Sequence, residues 1–406
     1  MARSVWYEAM KKLRVGVLFG GRSGEHEVSL LSAASVLEAT DKSKYEVVPI
    51  GITKEGRWVT AGHAEQLLKG TSPEPRHLRA GDPNATAAAA VLARGEGVLV
   101  PPVPPGPGEE RSSLVPFESD ADQIHAALHP VDVDIIFPVL HGTFGEDGTI
   151  QGLLELADIA YVGAGVLGSA AGMDKDVMKR LFRDARLPIV KHVTVLRNDW
   201  REQPKKVRKQ IERALKYPVF VKPANLGSSV GISKVHDGSE LATAMDEAAN
   251  FDRKLVVEQG VGGNKGKARE IECSVLGNDR PIASLPGEVV PIKEFYDYTA
   301  KYLDEGSELL IPAKIPKAKQ KEVQRLAVAA FQAVDCSGLA RVDLLMEPRS
   351  GKMYVNEINT LPGFTSISMY PKLWAASGIP YSELIDRLIQ LGLERHGEKK
   401  ENRYSR

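Results

Sequence analysis

The sequence has few cysteines, no excess of one charge and no long apolar run. Only two of its 406 residues are cysteines, Cys273 and Cys336, and their separation gives no C-x-x-C site, so we expect reduced packing residues. Lys plus Arg and Asp plus Glu number 53 each, which argues against a general nucleic-acid or anionic-membrane binder. With no run suited to a membrane span or a signal peptide, we predict a cytoplasmic protein.

A phosphate-binding loop of the G-x-x-x-x-G-K-[ST] type is also missing, so a nucleotide would have to be held in another way. The segment Gly163–Gly168 does match G-x-G-x-x-G. It lies near a predicted domain junction, and no clear strand with a terminal acid follows at the usual interval. An NAD-dependent dehydrogenase stays open as an alternative that this motif alone supports.

Strand and helix signals alternate in the first part of the chain, which predicts a mostly parallel sheet covered by helices. We place this N-terminal α/β domain at residues 1–163, with an Ala- and Pro-rich insertion at about 62–130. A central unit follows at 164–260 and a C-terminal unit at 261–406. The polar end, 397–406, is predicted to be disordered.

A predicted β-hairpin in the last unit carries the most informative residues. Its two strands flank a turn with Pro and Gly, and pairing them places Asp343 opposite Glu357 and Arg341 opposite Asn359. Because side chains two residues apart share a face of a strand, all four would project together. Two carboxylates and an amide oxygen suit Mg²⁺. The alternative is a solvated polar face with an Arg–carboxylate pair.

Two loops rich in small residues are candidate anion sites. Gly227–Ser229 follows a strand that ends in Lys222, and Thr360–Ser366 follows the hairpin. Small residues let backbone N–H groups approach an anionic ligand closely. Lys175 and Lys301 also lie beside small or turn-prone residues in other units, so a closing phosphate site would draw on all three lysines.

In combination, these segments resemble the D-alanine–D-alanine ligases of the ATP-grasp class. The matching segments, in chain order, are Gly20–Ser29, His141–Gly152, Met173–Lys175, Lys222–Gly231, Glu270–Val275, Phe295–Tyr302, the hairpin strands and Leu361–Gly363. They cover nearly the whole chain apart from the N-terminal extension, the insertion and the tail. The resemblance implies a multidomain α/β and α+β protein, with an ATP-grasp fold after the N-terminal parallel α/β domain. It also implies a mobile lid at 293–308.

The resemblance assigns roles to individual residues. The implied ATP-binding residues are Lys175, Lys222, Ser228, Glu258, Gln259, Glu270, Lys301 and Asn356. The implied ligands of two Mg²⁺ or Mn²⁺ ions are Asp343, Glu357 and Asn359. The implied substrate-binding residues are Glu25, His141, Arg341, Gly363, Ser368 and Met369. The implied catalytic residues are Glu25, Ser228, Tyr302, Arg341 and Gly363.

Two of these residues have simpler interpretations when taken alone. Glu25 at a helix start is a helix cap, and His141 at a strand end is a hydrogen-bonded structural residue. The sequence also departs from the family at Gln259 and Gly260, where many relatives have a lysine and an aromatic residue beside adenine.

The implied activity is the ATP-dependent formation of D-alanyl-D-alanine through a D-alanyl phosphate, for peptidoglycan precursors of the cell wall, by a homodimer. A D-alanyl-D-lactate ligase or another ATP-grasp carboxylate–amine ligase is the nearest alternative, and a non-catalytic nucleotide-binding protein is a further one. Tyr302 favours the dipeptide, since relatives that make the depsipeptide lack this tyrosine.

Overall fold

The computed structural model describes residues 12–54, 56, 58–60, 96–99, 112–116, 131–227, 230–263, 266–291 and 307–403. The predicted site residues Ser228, Lys301 and Tyr302, and most of the predicted lid at 293–308, lie outside these ranges. No helix within the described ranges is long and apolar enough to cross a membrane.

The N-terminal sheet is mixed. Its strands are β1 Leu13–Gly20, β2 Tyr45–Ile52, β3 Trp58–Thr60, β4 Glu96–Leu99, β5 Ser112–Pro116, β6 Val131–Val133 and β7 Ile135–Pro138. They lie in the order β6-β5-β4-β3-β2-β1-β7. The predicted parallel pairing is present where β1 lies between β2 and β7. The other pairs are antiparallel, and β4 and β5 come from the predicted insertion. Helices α1 His26–Ala39 and α2 Thr149–Leu156 follow β1 and β7.

The central sheet is antiparallel, with its strands in the order β10-β9-β11-β8. Its strands are β8 His192–Leu196, β9 Val219–Pro223, β10 Ser233–Val235 and β11 Lys254–Gln259. The helices of this part of the chain are α3 Val166–Met173, α4 Lys175–Asp184, α5 Arg197–Glu202, α6 Pro204–Ala214 and α7 Leu241–Phe251.

The C-terminal sheet is antiparallel too, in the order β15-β14-β12-β16-β17 with β13 beside β12. Its strands are β12 Arg269–Gly277, β13 Ile282–Ala283, β14 Gly287–Pro291, β15 Ser307–Leu310, β16 Gly338–Met346 and β17 Met353–Asn359. The accompanying helices are α8 Lys317–Ala333, α9 Met369–Ala376 and α10 Tyr381–Lys400.

The hydrophobic cores link the three parts of the chain. Met178 and Phe182 of α4 are buried in the core of the C-terminal sheet, although they precede the central sheet in sequence. Tyr370 and Trp374 of α9, with Leu388 of α10, are buried in the core of the N-terminal sheet. The domain boundaries at 163/164 and 260/261 stay a prediction.

The G-x-G-x-x-G segment lies at such a junction. A Cβ added to Gly168 would lie 2.6 Å from the carbonyl oxygen of Asp335, and a Cβ on Gly338 would lie 3.0 Å from the Cα of Gly163. These glycines therefore allow the backbones of two parts of the chain to approach closely, which gives the motif a packing role.

The prediction of disorder from Gly397 is wrong for 397–400, because α10 continues to Lys400. The ammonium of Lys399 pairs with Glu155, and that of Lys400 lies 3.7 Å from an oxygen of Asp158. Basic residues in the last turn also interact favourably with the helix dipole. The polar composition of this segment therefore failed to predict a helix end, because the acids that stabilise it lie more than 200 residues earlier in the chain.

Candidate active site

The hairpin has the predicted register. Arg341 lies opposite Asn359 and Asp343 opposite Glu357, and the neighbouring strand β12 places Glu272 opposite Asp343. The Arg341 guanidinium donates to both oxygens of Asp343 at 2.7 Å, and its Nε lies 3.1 Å from Glu272 Oε2. The polar face therefore contains both the acidic cluster and the Arg–carboxylate pair that we considered as its alternative.

A β-bulge interrupts the hairpin directly beside Glu357. Asp343 pairs with Glu357, but the next residue, Leu344, pairs with Val355, so Asn356 is an extra residue in β17. Successive strand side chains normally point to opposite faces, and a bulge relieves that rule locally. Asn356 and Glu357 consequently both line the same cavity.

That cavity, of about 470 Å³, lies between the central and C-terminal sheets. Of the predicted ATP and metal residues, it is lined by Lys222, Glu258, Gln259, Glu270, Asn356, Asp343 and Glu357. Phe220, Ile232 and Leu344 add apolar surface. Such a mixture of an apolar wall with convergent charged groups is typical of a ligand site. The side-chain oxygen of Gln259 accepts a hydrogen bond from the Lys216 N–H at 3.1 Å.

A buried cluster of charges forms the back of the cavity. Glu258 lies 2.9 Å from Lys179 Nζ and 3.0 Å from Lys222 Nζ. Burial alone would raise the pKa of Glu258, but the two ammonium groups outweigh it and lower the pKa to about 2. Burial would likewise lower the pKa of Lys222, yet the carboxylates of Glu258 and Glu357 raise it. Glu258 and Lys222 are therefore both charged at neutral pH.

Lys179 and Glu272 were not among the predicted site residues. Lys179 lies one helical turn after Lys175, and this i, i+4 spacing places both lysines on one side of α4. Glu272 lies two residues after Glu270 in β12, so it shares that residue's face of the strand. Both spacings were visible in the sequence, but neither shows which partner the side chain meets.

Lys175 lies beside the glycine loop instead of lining the cavity. Its ammonium donates to the carbonyl oxygen of Leu226 at 2.7 Å, and its backbone N–H donates to Ala224 O at 2.8 Å. The loop in turn approaches the N-terminal domain, since a Cβ on Gly227 would lie 3.4 Å from Glu25 Oε1. The predicted phosphate loop and the predicted first-substrate residue are thus neighbours.

Glu25, His141 and Glu146 form a buried cluster in the N-terminal domain, with one polar atom of each within 4.8 Å of the others. Glu25 precedes α1, yet its side chain makes no capping hydrogen bond, which speaks against a helix cap. His141 Nε2 lies 2.9 Å from Ser32 Oγ and its Nδ1 lies 3.2 Å from Leu361 O. Burial would lower the pKa of His141, but hydrogen bonding and charge interaction with Glu146 raise it.

The loop after the hairpin closes over this cluster. The N–H of Phe364 donates to Ser32 Oγ at 3.3 Å, and a Cβ on Gly363 would lie 3.1 Å from Ser368 Oγ. Ser368 stands directly before α9, and the Met369 side chain is buried against Val289 and Leu373. Gly363, Ser368 and the start of α9 therefore lie together, where the helix N–H groups favour an anion.

Antiparallel central and C-terminal sheets face one cavity, with Lys222 and Glu258 on the central side and Asp343 and Glu357 on the C-terminal side. This arrangement defines an ATP-grasp fold behind an N-terminal α/β domain. The chain belongs to the D-alanine–D-alanine ligase family. Residues 14–164 match the family model for the D-ala D-ala ligase N-terminus, and residues 181–390 match the model for the D-ala D-ala ligase C-terminus.

Individual relatives agree with this assignment. The chain is 50% identical over 394 residues to a D-alanine–D-alanine ligase of Heliobacterium modesticaldum, covering 97% of this chain and 98% of that protein. The D-alanine–D-alanine ligase structure from Coxiella burnetii matches with a TM-score of 0.76 and 35% identity, over 96% of each chain. The VanG D-Ala:D-Ser ligase from Enterococcus faecalis matches with a TM-score of 0.77 and 35% identity, over 94% of this chain and 100% of that chain. The predicted family and fold class are confirmed.

Proposed function

We propose that the chain joins two D-alanines at the expense of ATP, which becomes ADP and phosphate. The observation that carries this proposal is the cavity between the two antiparallel sheets, where Lys222, Glu258 and Glu270 meet the acids Asp343 and Glu357. The lysine provides positive charge for phosphates, Glu270 faces the same space as an acceptor for ribose hydroxyls, and the two remaining acids are hard ligands for a divalent cation.

The donor set fits such a cation. Asp343 and Glu357 are neighbours across the hairpin, and the Asn356 Oδ1 atom beside them is buried with no hydrogen-bond partner among the described residues. Asn359 Oδ1 accepts from the Leu361 N–H at 3.0 Å and keeps a second lone pair for a ligand. We assign Asp343, Glu357 and Asn359 to two Mg²⁺ or Mn²⁺ ions. When bound, these ions would counter the charge of the ATP phosphates.

In the first step, a carboxylate oxygen of one D-alanine attacks the γ-phosphorus, and the bond to the bridging oxygen of ADP breaks. Glu25 would hold the ammonium of that D-alanine, and His141, whose raised pKa favours the cationic form, would hold its carboxylate. The close approach of Gly227 to Glu25 supports this arrangement, because it brings the glycine loop to the first substrate. Ser228, Lys175 and Lys301 are assigned to the phosphates beside that loop.

In the second step, the amine of the other D-alanine attacks the acyl carbon, phosphate leaves, and the amine loses a proton to solvent. Negative charge develops on the carbonyl oxygen, where the Arg341 guanidinium and the Gly363 N–H would donate hydrogen bonds. Ser368 and the backbone at Met369 would bind the second carboxylate. Tyr302 would help a lid over 293–308 to exclude water from the acyl phosphate. We retain these roles as proposals, together with the cytoplasmic location and the homodimer that were predicted from the sequence.

The test is phosphate release from Mg·ATP with D-alanine, L-alanine, D-alanine plus D-serine, and D-alanine plus D-lactate, with products identified by mass. We expect release with D-alanine alone and the dipeptide D-alanyl-D-alanine as product. Faster formation of a mixed product with D-serine or D-lactate would overturn the choice of second substrate. Folded protein that binds ATP but releases no phosphate with any of them would overturn the ligase proposal.

A further inference from the structure

Lys179 is buried without exposure to solvent, yet it does not line the cavity. Its ammonium lies 2.9 Å from Glu258 Oε1 and donates to the backbone carbonyl of Asn356 at 3.1 Å. One side chain therefore joins helix α4 to a strand of the central sheet and to a strand of the C-terminal sheet. Burying a lysine in this way is costly unless its hydrogen bonds are made, and these two contacts offset that cost.

The carbonyl that Lys179 reaches belongs to the extra residue of the β-bulge. An extra residue disrupts the hydrogen-bond ladder locally, and its backbone groups need other partners. Strand β17 is the outermost strand of its sheet. The backbone N–H of Val355, next to the bulge, is bound in the same way by Pro188 O at 2.7 Å. Lys179 and Pro188, which lie in α4 and just after it, thus bind the backbone of Asn356 and of Val355, the residues at the bulge.

The bulge lets Asn356 and Glu357, two consecutive residues, both lie on the partly exposed face of β17, between the buried Val355 and Ile358. Without it, the alternation of the strand would send either Asn356 or Glu357 to the opposite, buried face. With it, both residues line the cavity. The same ammonium also holds Glu258, which is in contact with Lys222 on the other wall. The buried ammonium of Lys179 therefore contacts Glu258 on the central-sheet side of the cavity and Asn356 on the C-terminal side.

We propose that Lys179 is a positioning residue for the metal site: by binding the bulge carbonyl of Asn356 it keeps Glu357 turned into the cavity, and by binding Glu258 it ties this geometry to Lys222. The inference rests on the proposed function, because it presumes that Glu357 is a metal ligand. It adds a residue that touches neither substrate nor metal.

The opposing explanation is that Lys179 serves stability alone, and Lys254 provides the matched control. Lys254 Nζ lies 2.6 Å from an oxygen of Asp174 and 3.4 Å from one of Asp176, so it too pairs with two partners and connects α4 with β11. It makes no contact with the bulge. Lys179→Met and Lys254→Met therefore both remove a lysine that links these elements, and only the first releases the bulge carbonyl.

The experiment measures Mn²⁺ binding by electron paramagnetic resonance, at saturating concentration of a non-hydrolysable ATP analogue. We expect Lys179→Met to weaken Mn²⁺ binding by about 10- to 100-fold, the range found when outer-shell partners of metal ligands are removed. Lys254→Met should stay within about threefold of wild type, since its partners Asp174 and Asp176 are not among the proposed metal ligands. The direction is informative, because loss of a nearby positive charge would by itself strengthen cation binding.

Unchanged or tighter Mn²⁺ binding in Lys179→Met, or equal losses in both variants, would overturn the inference. If Lys179→Met does not fold, Glu258→Gln is compared with the double variant Lys179→Met/Glu258→Gln, in which no buried carboxylate lacks a partner. The same 10- to 100-fold difference is expected between these two, and no difference would overturn the inference. Absence of Mn²⁺ binding in wild type would instead refute the proposed metal site.

Discussion

Replacing Glu258 by Gln tests the charge cluster behind the cavity. The substitution keeps the shape of the side chain and removes the negative charge that pairs with both Lys179 and Lys222. Two buried ammonium groups would then face each other with a neutral amide between them. Breaking a buried ion pair by removing one partner is strongly destabilising, because the remaining charge is left without compensation.

The magnitude follows from the titration of the carboxyl group. Its pKa is lowered from the ordinary 4.5 to about 2, and at ~1.4 kcal/mol per tenfold this corresponds to about 3 kcal/mol in favour of the ionised folded state. Because the folded-state pKa is the lower one, this stability is fully present above pH 4.5. It is lost as the pH falls towards 2, by ~1 kcal/mol at pH 4 and ~2 kcal/mol at pH 3.

Urea denaturation at pH 7, 4 and 3 measures the difference between wild type and Glu258→Gln. We expect Glu258→Gln to lose about 3 kcal/mol at pH 7, and the difference to shrink with acidification. Glu383→Gln is the control, because Glu383 pairs with Arg387 at the exposed surface and such pairs contribute at most ~1 kcal/mol. A Glu258→Gln protein as stable as wild type at pH 7, or a pH-independent difference, would refute the reasoning.

Three further substitutions test other parts of the molecule. Asp343→Ala should reduce D-alanine-dependent phosphate release by more than ~100-fold, since a ligand should matter more than an outer-shell partner; full turnover would refute the metal assignment. His141→Gln should raise the KM for D-alanine by about 10- to 100-fold and leave the KM for ATP unchanged, because it removes a charged donor worth about 1.5–3 kcal/mol; equal effects on both KM values would contradict a first-substrate role. Gly168→Ala should lower stability in thermal unfolding by about 1–3 kcal/mol, since its Cβ would lie 2.6 Å from Asp335 O, whereas Gly152→Ala meets nothing within 4 Å and should not.

Local periodicity predicted the hairpin correctly. Strand side chains alternate with a period of two, and a turn with Pro and Gly fixes the register, so the pairing of Asp343 with Glu357 follows from the sequence alone. The same rule could not predict the bulge at Asn356. Whether a strand accepts an extra residue depends on which groups bind the backbone that the bulge leaves unpaired. Here that partner is Lys179, 177 positions earlier.

The buried cluster of Glu25, His141 and Glu146 could not be predicted from local sequence patterns. His141 contacts Ser32 and Leu361, which are 109 and 220 positions away. Spacing along the chain carries no information on such pairs, and a histidine at a strand end is by itself most simply a structural residue. The role proposed for His141 depends on the resemblance to the family. The end of α10 is a similar case, because the acids that hold Lys399 and Lys400 lie in the N-terminal domain.

The charge cluster also bears on how the cavity attracts a nucleotide. Lys222 paired with Glu258 alone would be neutral as a unit and would offer little to a phosphate, whereas Lys179 leaves the three groups with a net charge of +1. Charge alone therefore predicts opposite effects in metal-free nucleotide binding: Lys179→Met should weaken it and Glu258→Gln should strengthen it, each by about a factor of ten at low salt and less at high salt. Calorimetric titration with an ATP analogue at two salt concentrations measures both. Weaker binding in both variants would mean that the geometry of the cluster, and not its net charge, determines the affinity for the nucleotide. The two substitutions change the net charge in opposite directions, but both disturb the geometry.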